Sequence, residues 1–128
     1  MNVERLDHLV LTVRDVEATL GFYERVLGMR PATFGGGRKA LMFGEQKINL
    51  HQSGNEFEPR ATHPVPGSAD LCLVTESGVQ EIVDHLGEMG VEIIEGPVAR
   101  TGALGEMTSV YLRDPDGNLI EIATYEGS

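Results

Sequence analysis

The feature that most constrains this chain is that it repeats itself. The runs Leu6-Asp7-His8-Leu9-Val10-Leu11-Thr12-Val13 and Ser68-Ala69-Asp70-Leu71-Cys72-Leu73-Val74-Thr75 are both short, apolar and β-branched, as strands are. Each precedes a helical stripe. Asp15 stands as a cap before Val16, Leu20, Tyr23 and Leu27. Ser77 stands before Val79, Ile82, Val83 and Leu86, with Gln80 completing a capping box. Both stripes stop at glycine, Gly28 and Gly90, the residue that most easily takes the left-handed backbone of a helix end. From His8 to Asp70, and again from Gly28 to Gly90, the offset is 62 residues. Two independent features at one offset indicate duplicated structure.

Three strand-like segments follow each helix. In the first half they are Arg30 to Phe34, Lys39 to Phe43 and Lys47 to Gln52, with Gly35-Gly36-Gly37 and Gly44-Glu45 as turns. In the second half they are Glu92 to Glu95, Met107 to Arg113 and Leu119 to Tyr125. Between the last two lies Asp114-Pro115-Asp116-Gly117-Asn118, a strong turn signal. The expected fold is α+β: tandem βαβββ modules forming a cup-shaped mixed sheet with helices on the outside. One domain over 1–128 is expected, with modules at about 5–52 and 68–125 and a Pro- and Gly-rich linker at 53–67. No helix of P-loop or dinucleotide spacing follows the glycine triplet, so a hairpin turn is expected there.

Composition narrows the partners. Twenty acidic residues against ten basic give a net charge of −10, which repels phosphate backbones and anionic lipid; it reads first as a solubility device, with a cationic ligand as the alternative. Neither nucleic acid nor membrane is expected as a partner. No apolar run is long enough to span a bilayer, and no signal-peptide pattern opens the chain. The single cysteine, Cys72, fits a reducing cytoplasm.

Strand parity selects the candidate site. If Leu9, Leu11 and Val13 face a helix, then His8, Val10 and Thr12 face the other way. The repeat then puts Asp70, Cys72 and Val74 on the matching face. Ile48-Asn49-Leu50 matches Ile120-Glu121-Ile122, which makes Asn49 and Glu121 an equivalent inward pair, with His51 one step further on the Asn49 face. An imidazole and two carboxylates, His8, Asp70 and Glu121, would suit one divalent ion of the Mn, Fe, Ni or Zn type. A hydrogen-bonded polar cluster without metal is the alternative. Cys72 has no basic neighbour in sequence, so a pocket-lining role is expected for it.

The opening Leu6 to Val13, the helix end Phe22-Tyr23-Glu24-Arg25-Val26-Leu27-Gly28-Met29 and the ending Asp114 to Glu121 together resemble the vicinal oxygen chelate superfamily, which includes glyoxalase I, extradiol dioxygenases, fosfomycin-resistance enzymes and bleomycin-binding proteins. The runs Arg38 to Gly44, Lys47 to His51 and Glu95 to Gly102 are most similar to its glyoxalase-domain-containing and virulence-protein branch. The resemblance implies a metal-dependent lyase, isomerase or dioxygenase that chelates adjacent oxygens of a small substrate, with His8 and Glu121 as ligands. Asp70 stands where a third ligand, commonly histidine, is found. Asn49 stands where glyoxalase I has a glutamate, and an amide cannot abstract a proton, so glyoxalase I activity proper is disfavoured. Val10 stands where fosfomycin-modifying enzymes have threonine. His51 is the candidate general base or acid, and Asn49, Tyr111, Tyr125, Arg100 and Thr101 are candidate substrate contacts. A bleomycin-resistance-like binding protein without catalysis is the competing expectation. A homodimer is expected, since either pairing of modules leaves sheet edges that a second subunit can cover.

Overall fold

The computed structural model describes residues Met1–Tyr125. They form two compact units, one spanning Met1–Gly67 and one beginning at Ser68.

The first unit runs β1 (His8–Val13), α1 (Val16–Leu27), β2 (Arg30–Phe34), β3 (Arg38–Phe43) and β4 (Gln46–Gln52). Its sheet has the order β1-β4-β3-β2, with β1 parallel to β4 and the other pairs antiparallel. Asp15 caps α1 as its position suggested, its Oδ1 accepting from the Ala18 amide at 3.1 Å. Gly28 ends the helix in the left-handed region at φ 69°. The face opposite the candidate site is the core: Leu11, Val13, Leu41, Ile48 and Leu50 are buried along with Leu20, Tyr23 and Val26 of α1. Each such burial contributes about 1.5–3 kcal/mol and fixes which strand face is left for a ligand.

The second unit repeats the plan with β5 (Asp70–Val74), α2 (Val79–Glu88), β6 (Glu95–Gly102), β7 (Gly105–Arg113) and β8 (Leu119–Thr124). Its order is β5-β8-β7-β6, again with the first pair parallel. The turn before β8 sets the register. Asp114 Oδ1 accepts from the amides of Asp116 and Asn118, and its Oδ2 accepts from Asn118 Nδ2 at 2.8 Å. Asn118 Oδ1 in turn accepts from the Ala69 amide at 2.9 Å, which ties the start of β8 to the start of β5. Cys72 therefore pairs with Glu121, as Val10 pairs with Asn49 in the first unit. The duplication read from the sequence is present in the ladder.

Two local expectations are corrected. The strand expected at Glu92 to Glu95 lies later, at Glu95–Gly102. Gly96-Pro97 looks like a break, but β6 is an edge strand, where a missing proline N–H costs no ladder bond, and a register irregularity between Glu95 and Val98 absorbs the pair. Gly96 takes φ 107°, and a Cβ there would lie 2.5 Å from the Ser109 carbonyl oxygen, so glycine is required. Helix α2 begins at a Gly78 cap with no side-chain cap bond, so Ser77 and Gln80 form no capping box. Gln80 bonds forward to Asp84 instead, at 2.8 Å.

Candidate metal and substrate site

In the first unit, register places His8, Val10 and Thr12 of β1, and Lys47, Asn49 and His51 of β4, on the face away from α1. Ala40 and Met42 of β3, and Arg30 and Ala32 of β2, share that face. Phe34 and Arg38 join it at one end. His8 Nδ1 lies 2.8 Å from Asp7 Oδ2. That hydrogen bond, ahead of the charge of His8, holds the Asp7 carboxyl below its ordinary value. A carboxylate accepting at Nδ1 leaves Nε2 as the free lone pair, the arrangement a metal-ligating histidine uses. Asn49 and His51 are 6% and 4% exposed. Asn49 Oδ1 and His51 Nε2 are buried without a hydrogen-bond partner. Burial, and then the positive charge of Arg38, push the His51 pKa down, against smaller opposing effects of Glu56 and Glu58. His51 is thus a neutral imidazole near neutrality, able to accept a proton.

In the second unit, Asp70, Cys72 and Val74 share a face with Leu119, Glu121 and Ala123, and with Ser109, Tyr111 and Arg113 of β7. A cavity of about 420 Å³ on this face is lined by Asp70, Glu95, Arg100, Tyr111, Arg113 and Glu121, with Ile94 and Leu119 supplying apolar wall. Glu121 Oε2 is buried there with no hydrogen-bond partner, and so is Ser109 Oγ on the same face. Arg100 donates from Nε to the Tyr111 hydroxyl at 2.9 Å and from a terminal nitrogen to Glu95 at 3.0 Å. These bonds, Tyr111 first, raise its pKa further, so it stays cationic. With its oxygen engaged as an acceptor, the Tyr111 O–H is left to donate. The Cys72 thiol is pushed up to about 11 by partial desolvation first, then by the charge of Glu121 and a hydrogen bond to it, although the residue is at the surface. It is a poor nucleophile at neutral pH.

Asp70, Arg100, Tyr111 and Glu121 thus line one cavity. Thr101 faces the other way, its hydroxyl donating to Glu106 at 2.9 Å. The Tyr125 hydroxyl accepts from the Leu104 amide at 3.2 Å and sits against the β6–β7 hairpin. Among the described residues no group of three or more His, Cys, Asp or Glu side chains forms a ready metal site. Each unit by itself presents one donor of a type that divalent ions take, His8 Nε2 in the first and Glu121 Oε2 in the second. Sequence reasoning passed over Phe34, Arg38, Lys47, Glu95 and Arg113. Lys47 was available from the alternation Lys47, Asn49, His51, and Arg38 from the hairpin around the glycine triplet.

The duplicated βαβββ architecture carries buried, unpartnered polar atoms on a sheet face of each unit. The Glyoxalase/Bleomycin resistance protein/Dioxygenase superfamily model matches residues 5–122, and the chain belongs to that family. Virulence protein STM3117 of Salmonella typhimurium is 58% identical over 125 residues, which cover 98% of this chain and 87% of that protein. Its crystal structure superposes with a TM-score of 0.96 over 98% of this chain and 99% of that one. Glyoxalase domain-containing protein RDO1 of Mycosarcoma maydis is 55% identical over 126 residues, 98% of this chain and 71% of that protein. Metallothiol transferase FosB of Staphylococcus epidermidis is a more distant relative, 27% identical over 97% of this chain and 84% of that protein.

Proposed function

We propose that this protein is a glyoxalase-like, metal-dependent enzyme acting on a small oxygenated molecule, with His8, Asp70 and Glu121 as the ligands of one divalent ion. The observation that carries the reading is the Glu121 carboxylate, whose Oε2 is buried on a cavity wall without a partner. An ionised carboxylate in that setting is costly unless a cation or donor meets it. The metallothiol transferase relative supports metal use, and divalent metals are common in the family.

When bound, the ion would supply Lewis acidity toward adjacent substrate oxygens. The chain's own residues do the rest. Glu121 provides charge that balances the cation. Tyr111, fixed by Arg100, donates a hydrogen bond to a developing negative oxygen. His51, neutral and unpartnered at Nε2, accepts or returns a proton. Asn49 is an amide and takes no proton, which separates this chemistry from a glutamate-based isomerisation.

The test is metal content after purification without chelator. Wild type is expected to hold one Mn, Fe, Ni or Zn per chain. Glu121→Gln and His8→Ala should lose most of it with little change in melting temperature measured in chelator. Asp70→Asn should lower occupancy more than His51→Ala; the reverse result would make His51 the third ligand. Metal-free wild type that stays empty on titration with all four ions would sink the enzyme reading in favour of simple ligand binding.

A further inference from the structure

The first unit carries a second feature that the metal reading leaves unused. In a chain of twenty acidic and ten basic residues, carboxylates are abundant, yet among the described residues Arg38 and Lys47 make no ion pair. Glu56 and Glu58, the loop carboxylates whose charge reaches His51, are engaged elsewhere: Arg60 pairs with Glu58 at 2.8 Å and with Glu56 at 3.5 Å. Lys47 influences Asp7 only through its charge, that carboxylate being bonded to His8. Both cations instead rest on aromatic rings. Lys47 Nζ lies 3.9 Å from the Phe34 ring centroid. The Arg38 guanidinium lies 5.3 Å from Phe34 and 4.6 Å from Phe57. An aromatic ring steadies a cation by its face while leaving the N–H edges unsatisfied. Beside Arg38, one step past the Lys39–Leu50 pair of the ladder, is His51, its ring edge-on to Phe57 at 5.7 Å and its Nε2 buried without a partner.

We infer that this face is a recognition site for the oxyanion head group of a small molecule, a carboxylate or a phosphonate, held by Arg38 and Lys47 and positioned by Phe34, Phe57 and His51. Both cations stand against the Phe34 ring, and together they can offer one anionic group a planar fork and a point charge. Two cations held on aromatic faces with no carboxylate against them match the needs of a bound anion. As a statement of substrate class this rests on the enzyme reading above, but the binding itself does not need the metal.

The experiment is an NMR titration of metal-free protein with pyruvate and with methylphosphonate, against the neutral analogues pyruvamide and dimethyl methylphosphonate. The resonances followed are those of the His51, Phe34 and Phe57 rings. At least one anion is expected to bind, and the tighter one names the head group. Arg38→Met and Lys47→Met should each weaken it about tenfold to a hundredfold, the loss of one charge-assisted contact. Lys39→Met is the control: Lys39 points to the other face and bonds Thr33 at 2.9 Å, so binding should stay within about twofold, the ordinary scatter for a surface change. Should Arg38→Met not fold, Arg38→Lys keeps the charge but not the fork and should still weaken binding. Absence of any ring shift up to tens of millimolar, equal binding of the neutral analogues, or an equal loss in Lys39→Met would each overturn the site. Glu121→Gln separates the two readings, because anion binding should survive it while metal is lost. If metal is retained there and the anion still binds, only the metal assignment fails.

Discussion

Cys72 offers a direct probe of the Glu121 carboxylate, because it is the chain's single cysteine and any thiol signal comes from it. Its pKa of about 11 corresponds at pH 8 to roughly one thiolate in a thousand, against about one in four for an ordinary thiol near 8.5. That deficit of about 200-fold is offset in part by greater nucleophilicity. At a Brønsted slope near 0.45, a rise of roughly 2.5 units returns about tenfold. Wild type should therefore react with iodoacetamide at pH 8 about 20-fold more slowly than a free thiol. Glu121→Gln removes the charge, and with it the bond to a carboxylate, but not the desolvation, which is the larger cause. The rate should rise severalfold without reaching the free-thiol value, and the midpoint of the rate–pH profile should fall. The assay is mass-spectrometric alkylation between pH 7 and 11 in metal-free protein, with the midpoint deciding, since it does not depend on access to the sulfur. A wild-type midpoint near 8.5, or one unmoved by Glu121→Gln, would show that no ionised Glu121 stands beside Cys72, and the reasoning about its buried oxygen would fall with it.

Gly96→Ala should lower stability by at least about 1–3 kcal/mol, from a left-handed backbone strained by a Cβ that meets the Ser109 carbonyl. Thermal unfolding should show a drop of several degrees, and an unchanged melting temperature would mean β6 does not hold this register. His51 should titrate below its ordinary 6.5, because burial and the Arg38 charge disfavour the imidazolium. The unfolded chain then binds a proton that the folded chain refuses, so stability should fall as pH drops below about 6.5 and keep falling until the lower folded value is passed. Denaturant unfolding of wild type and His51→Gln across pH 5 to 7.5 should show that slope in the first and a shallower one in the second.

How much of this could be read from the sequence depended on whether the signal had direction. Alternation along Leu9, Leu11 and Val13 is directional, and it placed His8, Asn49, Asp70 and Glu121 on the faces they occupy. The Asp15 cap and the Gly28 stop were legible for the same reason, each being a position with a specific unsatisfied backbone group to meet. Parity says which face a side chain takes, not which atoms it meets, so it could not reveal that Thr101 turns to Glu106 or that Tyr125 binds the Leu104 amide. The strand expected at Glu92 to Glu95 lies later because an edge strand tolerates Gly96 and Pro97. Net charge is less informative still. A sum of −10 suggested a cationic ligand, yet a sum has no location, and the face that carries Asn49 and His51 is the one where Arg38 and Lys47 are left unpaired. An acidic exterior and a locally basic face are compatible, since screening confines exposed charge to about 8–10 Å while a contact ion is read at 3 Å or so. Under the proposed anion site, a ligand at that face is selected by those two cations and not by the total.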